Sequence, residues 1–299
     1  ILLNYTISVT FDDVKNASNI LVTGGAGFIG SHTVVSLMEQ GYNPIIVDDF
    51  RNSEKRVLKG IEEIAGRIPE VHEVDVVDKE AMRAIFQQYN FEGIIHFAAY
   101  KAVGESVQHP MMYYRNNLVS LINCIELCEE FQVKNFVFSS SCTVYGEPDD
   151  IVVHENTPVK PANSPYGQTK QVSEQILKDA IASNNGLRVL CLRYFNPIGA
   201  HESSVIGELP LGVPSNLVPY VTQTAIGKLE QLNISILELT LYFVALFLLI
   251  LFIETKKLKY FNYALIISCC FTMSKHFYYI NKNKRQKITF LNAKNQMAF

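Results

Sequence analysis

One stretch constrains this chain more than any other: Ile20-Leu21-Val22-Thr23-Gly24-Gly25-Ala26-Gly27-Phe28-Ile29-Gly30. It reads as a short buried strand, a glycine turn and the start of a helix. Glycines let the backbone turn sharply and lie close to a pyrophosphate, and the helix beginning at Gly30 aims free N–H groups and its positive dipole end at the same anion. The spacing satisfies both G-x-G-x-x-G (Gly25, Gly27, Gly30) and G-x-x-G-x-x-G (Gly24, Gly27, Gly30). Alone, such a match is also met by ordinary glycine turns. The context narrows it. Pro44-Ile45-Ile46-Val47 is a second apolar run and ends in Asp48. A carboxylate there can hold both hydroxyls of an adenosine ribose and repels a 2′-phosphate, which favours NAD over NADP.

Apolar strand runs and amphipathic helices alternate beyond this point. Strands are predicted at 20–23, 45–48, 71–75, 93–98, 135–139 and 188–193, and helices at 30–39, 56–65, 79–89, 112–131 and 165–183. Short apolar strands with helical crossovers specify an α/β fold: a doubly wound parallel sheet of Rossmann type, covered on both faces. Ligands of such sheets sit at the C-terminal ends of the strands. The polar residues that carry chemistry fall at those ends.

The run Asn135 to Ser139 continues into Ser140-Ser141-Cys142-Thr143, a strand ending in hydroxyls. Pro165-Tyr166-Gly167-Gln168-Thr169-Lys170 then opens a helix. Tyr166 and Lys170, four apart, share a helical face. An ammonium beside a phenol stabilises phenolate, so Lys170 is expected to lower the Tyr166 pKa and make the phenol a base near neutral pH. Ser141 can bond the same substrate hydroxyl. A solvated helix face explains a lone Tyr-x-x-x-Lys equally well; the glycine loop and the strand-end serine together disfavour that reading. His96, inside an apolar strand, reads as structural.

These residues resemble the extended short-chain dehydrogenase/reductase family, and among its members the nucleotide-sugar 4-epimerases. Further phrases carry the likeness: Lys101-Ala102-Val103-Gly104-Glu105-Ser106, Ser164-Pro165-Tyr166-Gly167, Leu192-Arg193-Tyr194-Phe195-Asn196-Pro197, and Gly212-Val213-Pro214-Ser215-Asn216-Leu217. The likeness covers the chain from Asn19 to about Leu232. It implies that Gly24, Gly27, Phe28, Ile29 and Gly30 form the phosphate loop of NAD. It further implies Asp48, Asn52 and Ser53 at the adenosine ribose, and Asp75 with Val76 at the adenine. Phe97, Ala98, Ala99, Lys101 and Asn116 would line the nicotinamide half, joined by Tyr166, Lys170 and Phe195. Catalysis is implied for Ser141, Tyr166 and Lys170, and binding of a UDP-linked sugar for Ser141, Tyr166, Asn196, Asn216 and Leu217. The implied reaction is NAD-dependent removal and return of hydride at the sugar C4. Relatives that dehydrate or decarboxylate carry an acid just after the serine; Cys142-Thr143 supplies none. Cys142 departs from the family's usual alanine and reads as packing. Members often dimerise through two helices per subunit, a role open to 112–131 and 165–183.

Composition bounds the remainder. A net charge of −3 argues against a general nucleic-acid binder. The six cysteines show no C-x-x-C spacing, so no metal site is expected. No cleavable signal pattern opens the chain, so a reducing cytoplasm is the expected compartment. The three glycosylation sequons, at Asn4, Asn16 and Asn233, then read as chance matches. The sequence divides into a leader at 1–18, a nucleotide-binding domain at 19–235 and a tail at 236–299 without glycine, proline or aspartate. The tail opens on an apolar run, 236–253, followed by lysines and a second apolar run. It reads as a membrane helix, with membrane contact only in that case, as a buried core helix, or as translated noncoding AT-rich sequence, the last being favoured by the missing turn residues. The uridine-diphosphate lobe that the resemblance implies is not recognisable after Ser235. The expectation is a retained nucleotide-binding signature with little or no turnover, or alternatively a non-catalytic NAD-binding module.

Overall fold

The computed structural model describes residues 18–230 apart from 151, 184, 185, 213 and 215. The leader up to 17 and the tail from 236 lie outside the described residues. Six strands form one parallel sheet: β1 (Asn19–Thr23), β2 (Asn43–Val47), β3 (Glu70–His72), β4 (Phe91–His96), β5 (Asn135–Ser141) and β6 (Arg188–Tyr194), in the order β3-β2-β1-β4-β5-β6. That order reverses direction beside β1, which opens a crevice at the strand tips. The helices are α1 (Phe28–Glu39), α2 (Arg56–Ala65), α3 (Lys79–Phe86), α4 (Val103–Gln108), α5 (Pro110–Glu130), α6 (Pro165–Ala182) and α7 (Leu217–Ala225), with a 3-10 turn at Cys142–Tyr145.

Two-faced burial explains the unbroken apolar strands. Leu21, Ile45 and Val47 point into one core with Met82, Phe86, Leu121, Leu127 and Leu177 from α3, α5 and α6. Ile20, Val22 and Ile46 point into the other, against Val34, Val35 and Met38 of α1 and Val57 and Ile61 of α2. Each fully buried side chain of this size stabilises the fold by about 1.5–3 kcal/mol.

Boundaries depart from the sequence reading where side chains intervene. β3 stops at His72 rather than 75, because the Asp75 carboxylate turns the chain by accepting the Val77 N–H at 2.9 Å. Asp78 then caps α3 by accepting from Ala81 N. α5 starts at Pro110, two residues early, with proline in the first turn where its missing N–H costs nothing. α4 and α7 are additions to the predicted elements.

After β6 the chain folds back. An isolated antiparallel bridge joins Ala200 to Gly207, and Ile206 plugs into the α1/α2 core at 1 % exposure. The plug sits against Gly60 of α2, where a Cβ would lie 2.7 Å from the Ile206 side chain.

Candidate active site

The glycine turn links β1 to α1. Gly24 has φ +68, and a Cβ on it would lie 2.8 Å from Ala98 N. Gly30 touches the turn from the helix side: its Cβ would meet the Gly24 carbonyl oxygen at 2.2 Å. Only glycine fits either place. The N-cap of α1 is Gly27, with no side-chain cap and no acid in the first turn. A helix start without its own capping anion suits a ligand phosphate.

Asp48 closes the turn from β2. One carboxylate oxygen accepts from Ala26 N at 3.0 Å; the other accepts from Phe50 N and Ser53 Oγ, both at 2.9 Å. A carboxylate offers about four lone-pair positions, so room for a ribose hydroxyl remains. Burial raises the Asp48 pKa, against those three bonds. Asn52 is exposed beside it. Asp75 accepts from Val77 N with one oxygen and from Arg51 with the other. Val76 is buried, and its carbonyl accepts from Asn123 of α5 at 3.0 Å. The glycine cradle, the uncapped helix and the ring of acids fit a dinucleotide with an unphosphorylated ribose.

The β4 loop runs alongside. Phe97 N donates to Thr23 O at 3.0 Å; Ala98, Ala99 and Tyr100 are half-buried and Lys101 is exposed. Lys101 Nζ lies 3.9 Å from Glu208, whose carboxylate also accepts from Asn216. Asn116 donates to Asn117 at 3.1 Å. Asn117, which the sequence reading did not single out, is the fastener of this loop. It takes the Tyr100 N–H, gives to the Tyr100 carbonyl and reaches Thr169 of α6. Tyr113 is a second fastener: its hydroxyl accepts from Ala102 N and donates to Glu105. Its neighbourhood gave the only sequence hint, the Gly104-Glu105-Ser106 phrase.

Ser141, Tyr166 and Lys170 meet at the tips of β5 and β6. Ser164 caps α6 by accepting from Gly167 N at 3.1 Å, which sets Tyr166 in the first turn. Ser141 Oγ accepts from Thr143 N and from the Thr143 hydroxyl and lies near enough to the Tyr166 phenol to favour its ionised form. Tyr113 packs edge-on to the Tyr166 ring, centroids 6.4 Å apart.

The electrostatics correct the sequence expectation. Tyr166 is not made acidic here; burial pushes its phenol up to about 12, although Ser141 works the other way. Lys170 is also buried, at 4 % exposure. Its ammonium donates to the Ser139 carbonyl at 2.7 Å and lies 5.9 Å from the Tyr166 ring centre. Burial brings Lys170 down to about 8, with Glu174 opposing. Glu174 itself is held by two bonds from Arg193, at 2.9 and 2.7 Å, and one from Ser140 at 2.6 Å. Burial would raise the Glu174 pKa, but these partners outweigh it and keep the carboxyl below its usual range.

The remaining residues of the sequence reading stand on several separate elements. Phe195 follows β6, its carbonyl 3.9 Å from Cys142 Sγ, and Asn196 is half-buried next to it. Burial lifts the Cys142 thiol to about 11, as suits packing rather than nucleophilic work. Asn216 precedes α7 without a side-chain capping bond, its amide donating to Glu208, and Leu217 opens that helix. His96 bonds Thr23 Oγ1 at 2.8 Å, and burial brings its pKa down to about 3, so the ring stays neutral. Among the described residues no group of His, Cys, Asp and Glu could hold a metal, and no helix is long and apolar enough to cross a membrane.

A parallel sheet of this order with a glycine turn between its first strand and helix defines the dinucleotide-binding class of α/β domains, and Ser141, Tyr166 and Lys170 stand at its strand tips. The NAD dependent epimerase/dehydratase family matches residues 20–227, and the chain belongs to that family. Similar curated proteins include UDP-glucose 4-epimerase of Dictyostelium discoideum, 49 % identical over 215 residues that make up 72 % of this chain and 62 % of that protein. The Bacillus subtilis UDP-glucose 4-epimerase is 50 % identical over 72 % of this chain and 63 % of its own length. Among solved structures, UDP-glucose 4-epimerase from Bifidobacterium longum in complex with NAD+ and UDP has a TM-score of 0.70 at 44 % identity, covering 72 % of this chain and 64 % of that one. The chain thus spans less than two thirds of the length of these relatives.

Proposed function

We propose that residues 19–235 are the cofactor-binding and catalytic part of a UDP-glucose 4-epimerase-type isomerase that uses NAD. The single observation carrying this reading is the meeting of Ser141, Tyr166 and Lys170 at the strand tips beside the glycine turn. The α1 N-terminus would receive the pyrophosphate and Asp48 the adenosine ribose. The chemistry NAD supplies when bound is reversible two-electron storage, so that hydride is held and returned at the sugar C4 without net oxidation.

The side chains supply the proton chemistry. Tyr166 takes the proton of the sugar 4-hydroxyl, with Ser141 holding the same oxygen. A phenol near 12 is a poor donor of that service until positive charge arrives beside it. Lys170 contributes one such charge; a bound oxidised nicotinamide adds another. Tyr166 then returns the proton to the oxygen of the 4-keto sugar after the sugar has turned over. Asn196, Asn216 and Leu217 would hold the UDP-sugar. The same reading keeps the chain in the cytoplasm and leaves α5 and α6 as the helices through which two copies would pair.

A second reading, an NAD-binding module without catalysis, is favoured by the family match ending at residue 227 while the chain continues with a run of different composition. Titration calorimetry with NAD, followed by a coupled turnover assay with UDP-galactose on the purified chain, separates the two. NAD uptake is expected, with turnover depressed because no diphosphate-binding arginines are recognisable after Ser235. Failure to take up NAD would overturn both readings; single-turnover reduction of bound NAD by the sugar nucleotide would retire the second.

A further inference from the structure

Arg51 follows the acid pair Asp48-Asp49 on the loop after β2, and it reaches two neighbouring loops. Its Nε lies 2.6 Å from Asp49 Oδ2, its Nη2 2.5 Å from Asp75 Oδ2, and its Nη1 donates to the Tyr100 hydroxyl at 2.7 Å. The guanidinium carbon is 5.7 Å from the centre of the Tyr100 ring. Asp49, Asp75 and Tyr100 stand on the loops after β2, β3 and β4; β2 and β4 are the neighbours of β1 in the sheet, and β3 lies beyond β2. One cation therefore ties together three loops around the adenosine end of the crevice.

The arrangement is aimed rather than incidental. Phe50 adopts φ 57, a left-handed conformation unusual for a large side chain. Its N–H is held by Asp48, and the Arg51 N–H by Asp49 Oδ1 at 3.0 Å. The turn thus points Arg51 across the crevice. The contact does little for the core: the Arg51 and Asp75 side chains are 39 % and 36 % exposed, and exposed ion pairs contribute little to folding. A planar guanidinium already lying near one aromatic ring is well suited to stack on a second planar ring, such as adenine.

We propose that Arg51 is a latch over the adenosine end of the cleft, closing on the adenine of a bound dinucleotide and slowing its release. This rests on the reading that the cleft takes NAD. An arginine near the ribose would ordinarily attract a 2′-phosphate. Here its charge is matched by Asp49 and Asp75, so the latch retains the cofactor without inviting NADP. Retention suits a reaction that returns its cofactor to the starting redox state in each cycle.

The test is the rate at which NAD leaves the purified full chain, followed by displacement with a fluorescent NAD analogue. Wild type, Arg51→Ala, Arg51→Lys and Tyr100→Phe are compared, with a thermal melt of each as the control for folding. Arg51→Ala is expected to release NAD about tenfold faster, equivalent to about 1.4 kcal/mol of lost contact. Arg51→Lys, which keeps the charge and loses the fork, falls between. Tyr100→Phe, which removes only one oxygen, speeds release about two- to threefold, in keeping with one lost hydrogen bond. Release from Arg51→Ala at the wild-type rate, or tighter binding by it, would overturn the latch alone. A wild-type chain that takes up no NAD would overturn the reading beneath it as well.

Discussion

The two ends of the crevice are made of opposite materials. At the adenosine end, Asp48, Asp49, Asp75 and Arg51 are already joined to one another or to backbone N–H groups. At the catalytic end, a phenol and an ammonium are buried with few compensating charges, and burial pushes each toward its neutral form. The first end is organised before a ligand arrives. The second holds a phenol kept neutral by burial beside an ammonium that carries its charge at neutral pH at a cost. Binding and catalysis are thus separable, and substitutions should affect one without the other.

The hardest test of that separation is Tyr166→Phe. It should slow single-turnover reduction of bound NAD by about 10³-fold while leaving NAD affinity unchanged by calorimetry. A matching loss of affinity would show that the two ends are not independent. Gly30→Ala attacks the opposite end. Its methyl would stand 2.2 Å from the Gly24 carbonyl oxygen, so NAD affinity should fall by about 100-fold or more, the scale of an overpacking cost of about 3 kcal/mol. Near-wild-type affinity would mean that the turn can open without penalty.

Glu174→Gln leaves Arg193 largely buried without its partner charge. It should cost about 2–4 kcal/mol in urea unfolding at neutral pH. Because the Glu174 pKa lies below its ordinary value, the pair's contribution is full above the unfolded value near 4.5 and fades as pH falls through the folded one. The wild-type advantage over the variant should therefore shrink in acid.

Lys170→Met should have the reverse sign. The lysine pKa is brought from 10.5 to about 8, so between those values the unfolded chain binds more protons and stability rises with pH. Below 8 the buried ammonium is a standing cost. The methionine variant should be more stable at neutral pH by about 1–3 kcal/mol, lose the alkaline rise, and transfer hydride poorly. An equally steep alkaline rise in the variant would assign it to another group. The smallest expected effect is for Asp48→Asn: preference for NAD over NADP should fall about tenfold, the value of one lost charge repulsion, measured as a ratio of binding constants.

How much of this could be read from the chain alone depended on how local the cause was. β1, β2 and β4 were legible because burial makes each a nearly continuous apolar run; the edge strands β3 and β6 are less buried and showed through their alternation with helices. The glycine turn and the Tyr166–Lys170 spacing are local too. α4 is six residues long without a side-chain cap, and α7 has a proline at its third position, so neither announces itself. The pKa sense of Tyr166 was misread because it depends on burial beside Tyr113 and Cys142, residues remote from it in sequence. Arg51 went unnoticed for the same reason: Asp75 and Tyr100 are 24 and 49 residues away. Asn117 was hidden behind its neighbour Asn116.

The stud formed by Ile206 in the hollow at Gly60 has a mechanical consequence. It rivets the strap between β6 and α7, which carries Asn196 and Asn216 near its two ends, to the second crossover of the sheet. Heat or mutation that loosens α2 will therefore also unseat the strap, although no residue of α2 stands among those assigned to the sugar nucleotide. Thermal loosening of the strap should therefore begin on the far side of the sheet from the phenol.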